Sequence, residues 1–373
     1  MSPMLQTAIG GAGTFVLAVI FIVLLLPHAG RLGLVDHPAG RKAHAQSTPV
    51  IGGLAMLLAC ALTFVLLPGD PGRASIGFGL AAILITVVGA VDDRYDIPWH
   101  QRIVAQIIAA LIMIYVGGIR IEQVGNVFGF GSFDLGVLSV PFTVFATVGI
   151  INAVNMIDGE DGLAGSLVLA ALAMMGAAAL YSGNDTVFLR IGFIMGAVAG
   201  FLLFNMRLPG RAQARIFMGN AGSALLGLTI ACFAFRLTQN PGHPVGPILA
   251  LWLIPIPIMD CLVLMVRRIR SGRSPAAADR GHIHHLMRQG GFSVSATVFT
   301  LVGFSLATGL LAAVALLLHV PQLLLALAFV LMSLGYYWLT SRTDRAVAFF
   351  SHLRWPRKTQ VECRMADTDK AQS

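Results

Sequence analysis

Long apolar stretches alternate with short polar segments along the whole chain. The apolar runs lie near 8–27, 49–67, 74–91, 101–118, 137–156, 163–182, 187–205, 216–236, 245–266, 293–318 and 320–340. A helix needs about 20 mainly apolar residues to cross the hydrocarbon of a bilayer. Main-chain groups in lipid must bond within their own segment, so each run predicts a helix. The expected fold is therefore all-α: a polytopic membrane protein with about eleven transmembrane helices. Five polar motifs fall in alternate loops: Asp36–His44, Asp92–Asp96, Asn152–Leu163, Arg215–Ser223 and Asp279–His285. Alternate loops lie on one side of a membrane, so these motifs should meet in a single acidic pocket lined with Asn and His.

Composition supports the same class. The chain is 57% hydrophobic and 11% charged, against about a quarter charged in soluble domains. Of the 25 Lys and Arg residues, all but Arg73, Arg120, Arg190 and Arg236 lie in the odd-numbered loops, at their margin (Arg102) or beyond residue 341. The positive-inside bias then makes those loops and the C-terminus cytoplasmic and the N-terminus periplasmic. This count is independent of the motifs, yet it puts all five on the cytoplasmic side. No Lys or Arg precedes Arg31, so the first run lacks a signal peptide's basic region and reads as a retained helix. Residues 1–341 are expected to form one membrane domain with cytoplasmic active-site loops. Residues 342–373 are expected to be a basic cytoplasmic tail, partly disordered and in contact with anionic lipid. The net charge of +8 is juxtamembrane and has no aromatic stacking platform beside it, which argues against nucleic acid. Cys60, Cys232 and Cys261 sit in apolar runs and Cys363 in the tail; they read as small fillers. Glu122–Leu135 reads as an extracytoplasmic hairpin or loop without chemistry.

The motifs carry the chemistry. Asp92 and Asp93 end an apolar helix, where adjacent carboxylates suit proton abstraction or cation binding; alone, such a pair would read as an exposed helix end. Asn152, Asn155, Asp158 and Asp161 recur every three positions, with a helix break expected at Gly159 and Gly162. Asn and Asp at membrane depth are costly unless they face water or a ligand. A helix is expected to begin near Gly222–Ser223, with Asn220 either capping it or offering a carbonyl oxygen to a metal. His282, His284 and His285 follow Arg280. Their spacing does not suit a structural zinc site, so phosphate or sugar hydrogen bonding is the better reading. Arg41, Lys42 and His44, after Asp36 and Pro38, form a second cationic patch. Two cationic patches around a carboxylate cluster suit a pyrophosphate, with Mg²⁺ or Mn²⁺ on the acids. Asp260, deep in the ninth run, reads either as a buried helix partner or as part of the pocket.

Together these motifs resemble the polyprenyl-phosphate N-acetylhexosamine-1-phosphate transferase superfamily, of the glycosyltransferase family 4 type. The resemblance is greatest to its bacterial branch acting on UDP-GlcNAc and undecaprenyl phosphate. It rests on Asp36, Pro38, Arg41, Lys42, His44, Pro49, Gly52 and Gly53, then on Asp92-Asp93, on Asn152 to Gly162, and on His282 to His285, in the family's order. It implies a Mg²⁺-dependent enzyme of the bacterial inner membrane that starts O-antigen or a related surface polysaccharide. The lipid phosphate would attack the β-phosphorus of a UDP-N-acetylhexosamine and UMP would leave. By the same resemblance, Asp92 would deprotonate or orient the lipid phosphate with Asp93 as its partner, and Asn155 and Asn220 would hold the metal. Asn152, Asp158 and Asp161 would bind the nucleotide, with Phe217 stacking on the uracil. Lys42, His44, Arg268, Arg280, His282, His284 and His285 would hold the diphosphate and sugar. Membrane lipids are further partners, and a homodimer is left open. The chain departs from the family at Asn220, where the family has Asp; the amide keeps an oxygen ligand but loses a charge. Two rival readings are a catalytically impaired homologue that binds nucleotide sugar, because of Asn220, and a secondary transporter using intramembrane Asp and Asn.

Overall fold

The computed structural model describes residues 2–36, 47–66, 72–239, 245–272, 274 and 281–353. Helices α1 (Pro3–Leu25), α2 (Gly52–Leu66), α3 (Gly72–Tyr95), α4 (Trp99–Tyr115) and α5 (Ser139–Ile157) come first. They are followed by α6 (Leu163–Tyr181), α7 (Asp185–Asn205), α8 (Gly219–Thr238), α9 (Pro247–Leu253) and α10 (Pro255–Arg270). The chain ends in α11 (Ile283–Gln289), α12 (Val294–Leu317), α13 (Gln322–Thr340) and α14 (Thr343–Leu353). Among the described residues, eight helices are long and apolar enough to cross a membrane, α9 and α10 form a bent pair, and α2 and α4 are shorter apolar helices. The protein is an all-α, multi-pass membrane protein.

Helix α8 is the centre of the bundle. It is apolar on every side and packs against α2, α3, α5 and α6, so that nearly all of its residues are buried. A helix without a polar face belongs inside other helices. The peripheral helices differ: α1 and α13 leave most of their length uncovered, and Phe299 and Leu331 are among the large side chains that point outward. That exterior suits hydrocarbon as solvent.

The run expected as one span at 245–266 is broken. Helices α9 and α10 meet at 89° around Ile254. Pro255 has no N–H to bond back into α9, and its ring pushes Ile254 out of the helical region, to φ −132° and ψ 48°. Average hydropathy is blind to this, whereas Pro-Ile-Pro marked the place.

Smaller elements complete the frame. Val35–Asp36 (β1) pairs antiparallel with Thr48–Pro49 (β2). The adjoining segment binds Phe217 through Phe217 N–H to Pro49 O, 2.8 Å, and Gly52 N–H to Phe217 O, 3.1 Å. Residues 122–135 form the expected hairpin, with Val124 N–H donating to Phe133 O and Phe133 N–H to Gly125 O, both 3.1 Å. Beyond residue 341 the chain begins with a helix, α14, which packs on α11 and sets Phe350 against Phe292. Pro38, Arg41, Lys42, His44, Arg280 and Cys363 lie outside the described residues.

Candidate active site

The carboxyl ends of α3 and α5 and the amino end of α8 enclose a cavity of about 580 Å³. Its walls include Asp36, Asp92, Asp93, Asp96, Asn155, Asp158, Glu160, Asp161, Phe217 and Asn220. Four of the five motifs therefore converge. The fifth lies directly behind the wall: a Cβ on Gly159 would fall 2.4 Å from His284 Nε2, so only glycine admits that ring.

The two adjacent aspartates face different partners. Asp92 is buried; its Oδ1 accepts from Ile97 N–H at 3.0 Å and its Oδ2 from Arg102 Nη1 at 3.1 Å. Asp93 instead reaches the start of α8, accepting from Asn220 N–H at 2.7 Å and Ala221 N–H at 3.2 Å. Helix α8 thus begins at Gly219, three residues before Gly222, where its start was expected. Asn220 does not cap it; its place in the first turn hands that job to Asp93. The approach depends on Gly89, where an added Cβ would lie 2.4 Å from Ala221 Cα.

Asn155 and Asn220 are brought together. Asn155 Nδ2 donates to Asn220 Oδ1 at 2.9 Å and to Ser223 Oγ at 2.8 Å. Asn152 lies one turn before Asn155 and donates to Gln106 Oε1 at 2.7 Å. Asp92, Asn155 and Asn220 also line a second, narrow cleft of about 30 Å³, room for one water. Arg102, Gln106 and Asn152 share its polar wall, while Ile85, Val88, Ile151 and Ala224 make the other side apolar. The three shared residues form the partition between a wide polar cavity and a narrow cleft with one apolar side.

The loop after α5 is stitched to its surroundings. Asp161 Oδ2 accepts from Arg207 Nε at 2.7 Å and from Ala214 N–H at 3.3 Å. Asn205 Oδ1 accepts from Gly162 N–H at 2.8 Å, and its Nδ2 donates to Ile216 O at 2.9 Å. Glu160 pairs with Arg288 Nε at 3.5 Å; its burial raises its pKa, against the pull of Arg288 and Arg207. Asp158 has no such partner among the described residues. Desolvation, with the charges of Asp93 and Asp161 nearby, pushes its pKa up to about 7.

The histidine cluster adjoins the cavity rather than lining it. The rings of His282 and His284 stack with centroids 5.4 Å apart, and His284 and His285 are 4.2 Å apart. His284 is 1% exposed, and burial with two neighbouring histidines lowers its pKa well below the usual value, so it is neutral at pH 7. His282 Nδ1 bonds Asp260 Oδ2 at 2.7 Å. Arg268, also assigned to the phosphates, is buried in α10 and does not line the cavity.

A hard cation fits this donor set only in part-protein coordination. Among the described residues no three His, Cys, Asp or Glu side chains could enclose a metal ion by themselves. The oxygens of Asn155, Asn220 and the cavity carboxylates suit Mg²⁺ or Mn²⁺ that completes its shell from phosphate and water.

The family model described as glycosyl transferase family 4 matches residues 75–238. An undecaprenyl-phosphate alpha-N-acetylglucosaminyl 1-phosphate transferase of Escherichia coli O157:H7 is 33% identical over 344 residues, 91% of this chain and 92% of the relative. The protein of that name from Salmonella typhimurium is 33% identical over 354 residues, covering 94% and 95% of the two chains. Its Haemophilus influenzae counterpart is 34% identical over 292 residues, 78% and 81%. The chain belongs to glycosyl transferase family 4.

The family 4 match runs from α3 to α8 and so contains the whole partition of Asp92, Asn155 and Asn220. Asp36, which lines the pocket, and the histidines, which lie behind its wall, fall outside it. Reading the sequence alone missed Arg102, Gln106 and Asn205. Gln106 follows Arg102 by one helical turn and interrupts an apolar stretch, a polar stripe that could have been noticed.

Proposed function

We propose that this family 4 protein transfers an N-acetylhexosamine-1-phosphate, GlcNAc-1-phosphate first among the candidates, from its UDP-sugar to undecaprenyl phosphate. The observation that carries the proposal is the shared partition: Asp92, Asn155 and Asn220 face both the wide polar cavity and the narrow cleft with an apolar wall. A water-soluble donor enters the first and a lipid phosphate is presented at the mouth of the second, so the reacting groups meet at those three side chains. The names of the relatives agree with this pairing.

An acceptor phosphate oxygen attacks the β-phosphorus, the bond from that phosphorus to the bridging oxygen breaks, and UMP leaves with the bridging oxygen. One phosphoanhydride replaces another, so positioning and charge neutralisation are the protein's main contributions. Arg102 and Asp92 orient the lipid phosphate at the mouth of the cleft, Asp93 holds α8 in place, and Asn155 and Asn220 present oxygen ligands. Bound Mg²⁺ would neutralise charge on the diphosphate as UMP departs. Phe217 offers a ring for the uracil, Asp158 and Asp161 flank the nucleotide, and the histidines lie on the sugar side. We further propose eleven crossings of the bacterial inner membrane, with the pocket and C-terminus cytoplasmic, in line with the Lys and Arg distribution.

The test is release of UMP from labelled UDP-GlcNAc and undecaprenyl phosphate with Mg²⁺, run against a panel of UDP-N-acetylhexosamines. No UMP from this chain or from its Asn220→Asp variant with any donor refutes the proposal. Donor binding without turnover in both would favour the impaired homologue.

A further inference from the structure

A carboxyl group inside a membrane bundle is costly unless its oxygens are bonded. Asp260, five residues past the break that starts α10, is 2% exposed and meets three donors from three places in the chain. His282 Nδ1 lies 2.7 Å from Oδ2, Ile283 N–H donates to Oδ1 at 3.1 Å, and Tyr336 of α13 donates its hydroxyl to Oδ1 at 2.5 Å. The 89° turn between α9 and α10 and the packing of Trp252 on Phe329 hold α13 against this corner. Asp260 and Tyr336 line neither the cavity nor the cleft.

We infer that Asp260 and Tyr336 are positioning residues that fix the tautomer and ring orientation of His282, so that Nδ1 is committed to Asp260 and Nε2 is presented toward the donor's sugar phosphate. This rests on the transferase reading for its direction, while the tautomer stands without it. A ring nitrogen held by a carboxyl determines what the other nitrogen can do. His282 Nε2 meets no hydrogen-bond partner among the described residues, and the His282 ring stacks on His284, whose Nε2 lies behind Gly159 at the cavity wall. Tyr336 and Ile283 occupy Oδ1, which leaves Oδ2 to His282 alone. A tie between α10 and α13 would need no histidine; the placement of His282 on Oδ2 is what assigns a role in orientation.

Two measurements test this on the full chain in lipid nanodiscs. In the UMP assay, Asp260→Asn should lower kcat by about 10- to 100-fold, the usual size for loss of a supporting partner, with KM for undecaprenyl phosphate unchanged. Tyr336→Phe should show a smaller loss of the same kind. The Asp260→Asn/His282→Ala pair should be no slower than His282→Ala alone, since the carboxyl acts through that ring. Losses that multiply in the pair, or full activity in Asp260→Asn, overturn the inference. Nitrogen-15 imidazole spectra of the wild type, assigned by loss of the signal in His282→Ala, should show a protonated Nδ1 at His282. An Nδ1 without a proton overturns it whether or not UMP is formed, and needs no destabilised variant. If the wild type releases no UMP while the spectrum shows protonated Nδ1, the transferase reading fails and the Asp260–His282 coupling survives.

Discussion

Asp93 at the end of α3 accepts the main-chain N–H of Asn220 at 2.7 Å, 127 positions later in sequence. One carboxylate thereby caps the central helix and sets the height of Asn220 in the partition. Losing a helix cap typically costs about 0.5–2 kcal/mol. Asp93→Ala should therefore lower the unfolding midpoint in detergent, while Asp93→Asn, which keeps one acceptor oxygen, should recover part of the loss. Equal midpoints for wild type and Asp93→Ala would remove the capping role.

Asp92 answers differently. Its carboxylate pairs with Arg102 in the wall of the narrow cleft, at whose mouth the acceptor phosphate is proposed to sit. Asp92→Asn should reduce UMP release by more than about 100-fold, on the scale of losing one oriented group at a reacting centre. A rate within a factor of two of wild type would sink the assignment.

Asn220→Asp adds a negative charge beside the oxygen that Asn155 now meets at 2.9 Å. The variant should bind Mg²⁺ more tightly and turn over faster, seen as a lower Mg²⁺ concentration for half-maximal rate. The same Mg²⁺ titration in both forms would show that the amide already serves as well as the acid.

The pH dependence follows from Asp158, whose pKa is pushed up to about 7 in the folded chain from the ordinary 3.8 of an aspartate. The folded state then holds a proton that the unfolded state releases, so stability falls as pH rises from about 4 to 7 and levels off above. Without divalent cation, the unfolding midpoint of the wild type should drop across that window relative to Asp158→Asn. Added Mg²⁺ should flatten the difference, because a cation favours the ionised acid. Parallel midpoint curves would contradict the raised value.

Gly159→Ala places a methyl where His284 Nε2 sits, 2.4 Å away. The histidine must move and activity should fall about tenfold or more, with donor KM affected before the unfolding midpoint. An Ala variant with wild-type kinetics would show that the ring's position is immaterial.

Hydropathy alone located the long helices, because apolar length is what a bilayer selects; each run contains one except 245–266, which holds α9 and α10, while α11 and α14 lie outside the runs. It could not see the break at Ile254, since the residues on both sides are equally apolar and the cause is local to Pro255. The meeting of Asp92, Asn155, Asp158 and Asn220 was readable from loop alternation. Their separate duties were not. Asp93 caps a helix far away in sequence, and Asn205 holds two loops that have no shared pattern. The partners of Asp260 lie 22 and 76 positions distant, so no spacing rule links them. Asn220 looked like a cap because small polar residues precede helices; the cap came from another helix.

Helix α8 touches its neighbours on every side, and its first turn carries Asn220. No lipid lies against it to absorb a change in side-chain size, so an added methylene anywhere along it must be accommodated by α2, α3, α5 or α6. Two of these, α3 and α5, carry Asp92 and Asn155. Substitutions many ångströms from the phosphates, buried where no substrate reaches, will therefore be felt as changes in turnover.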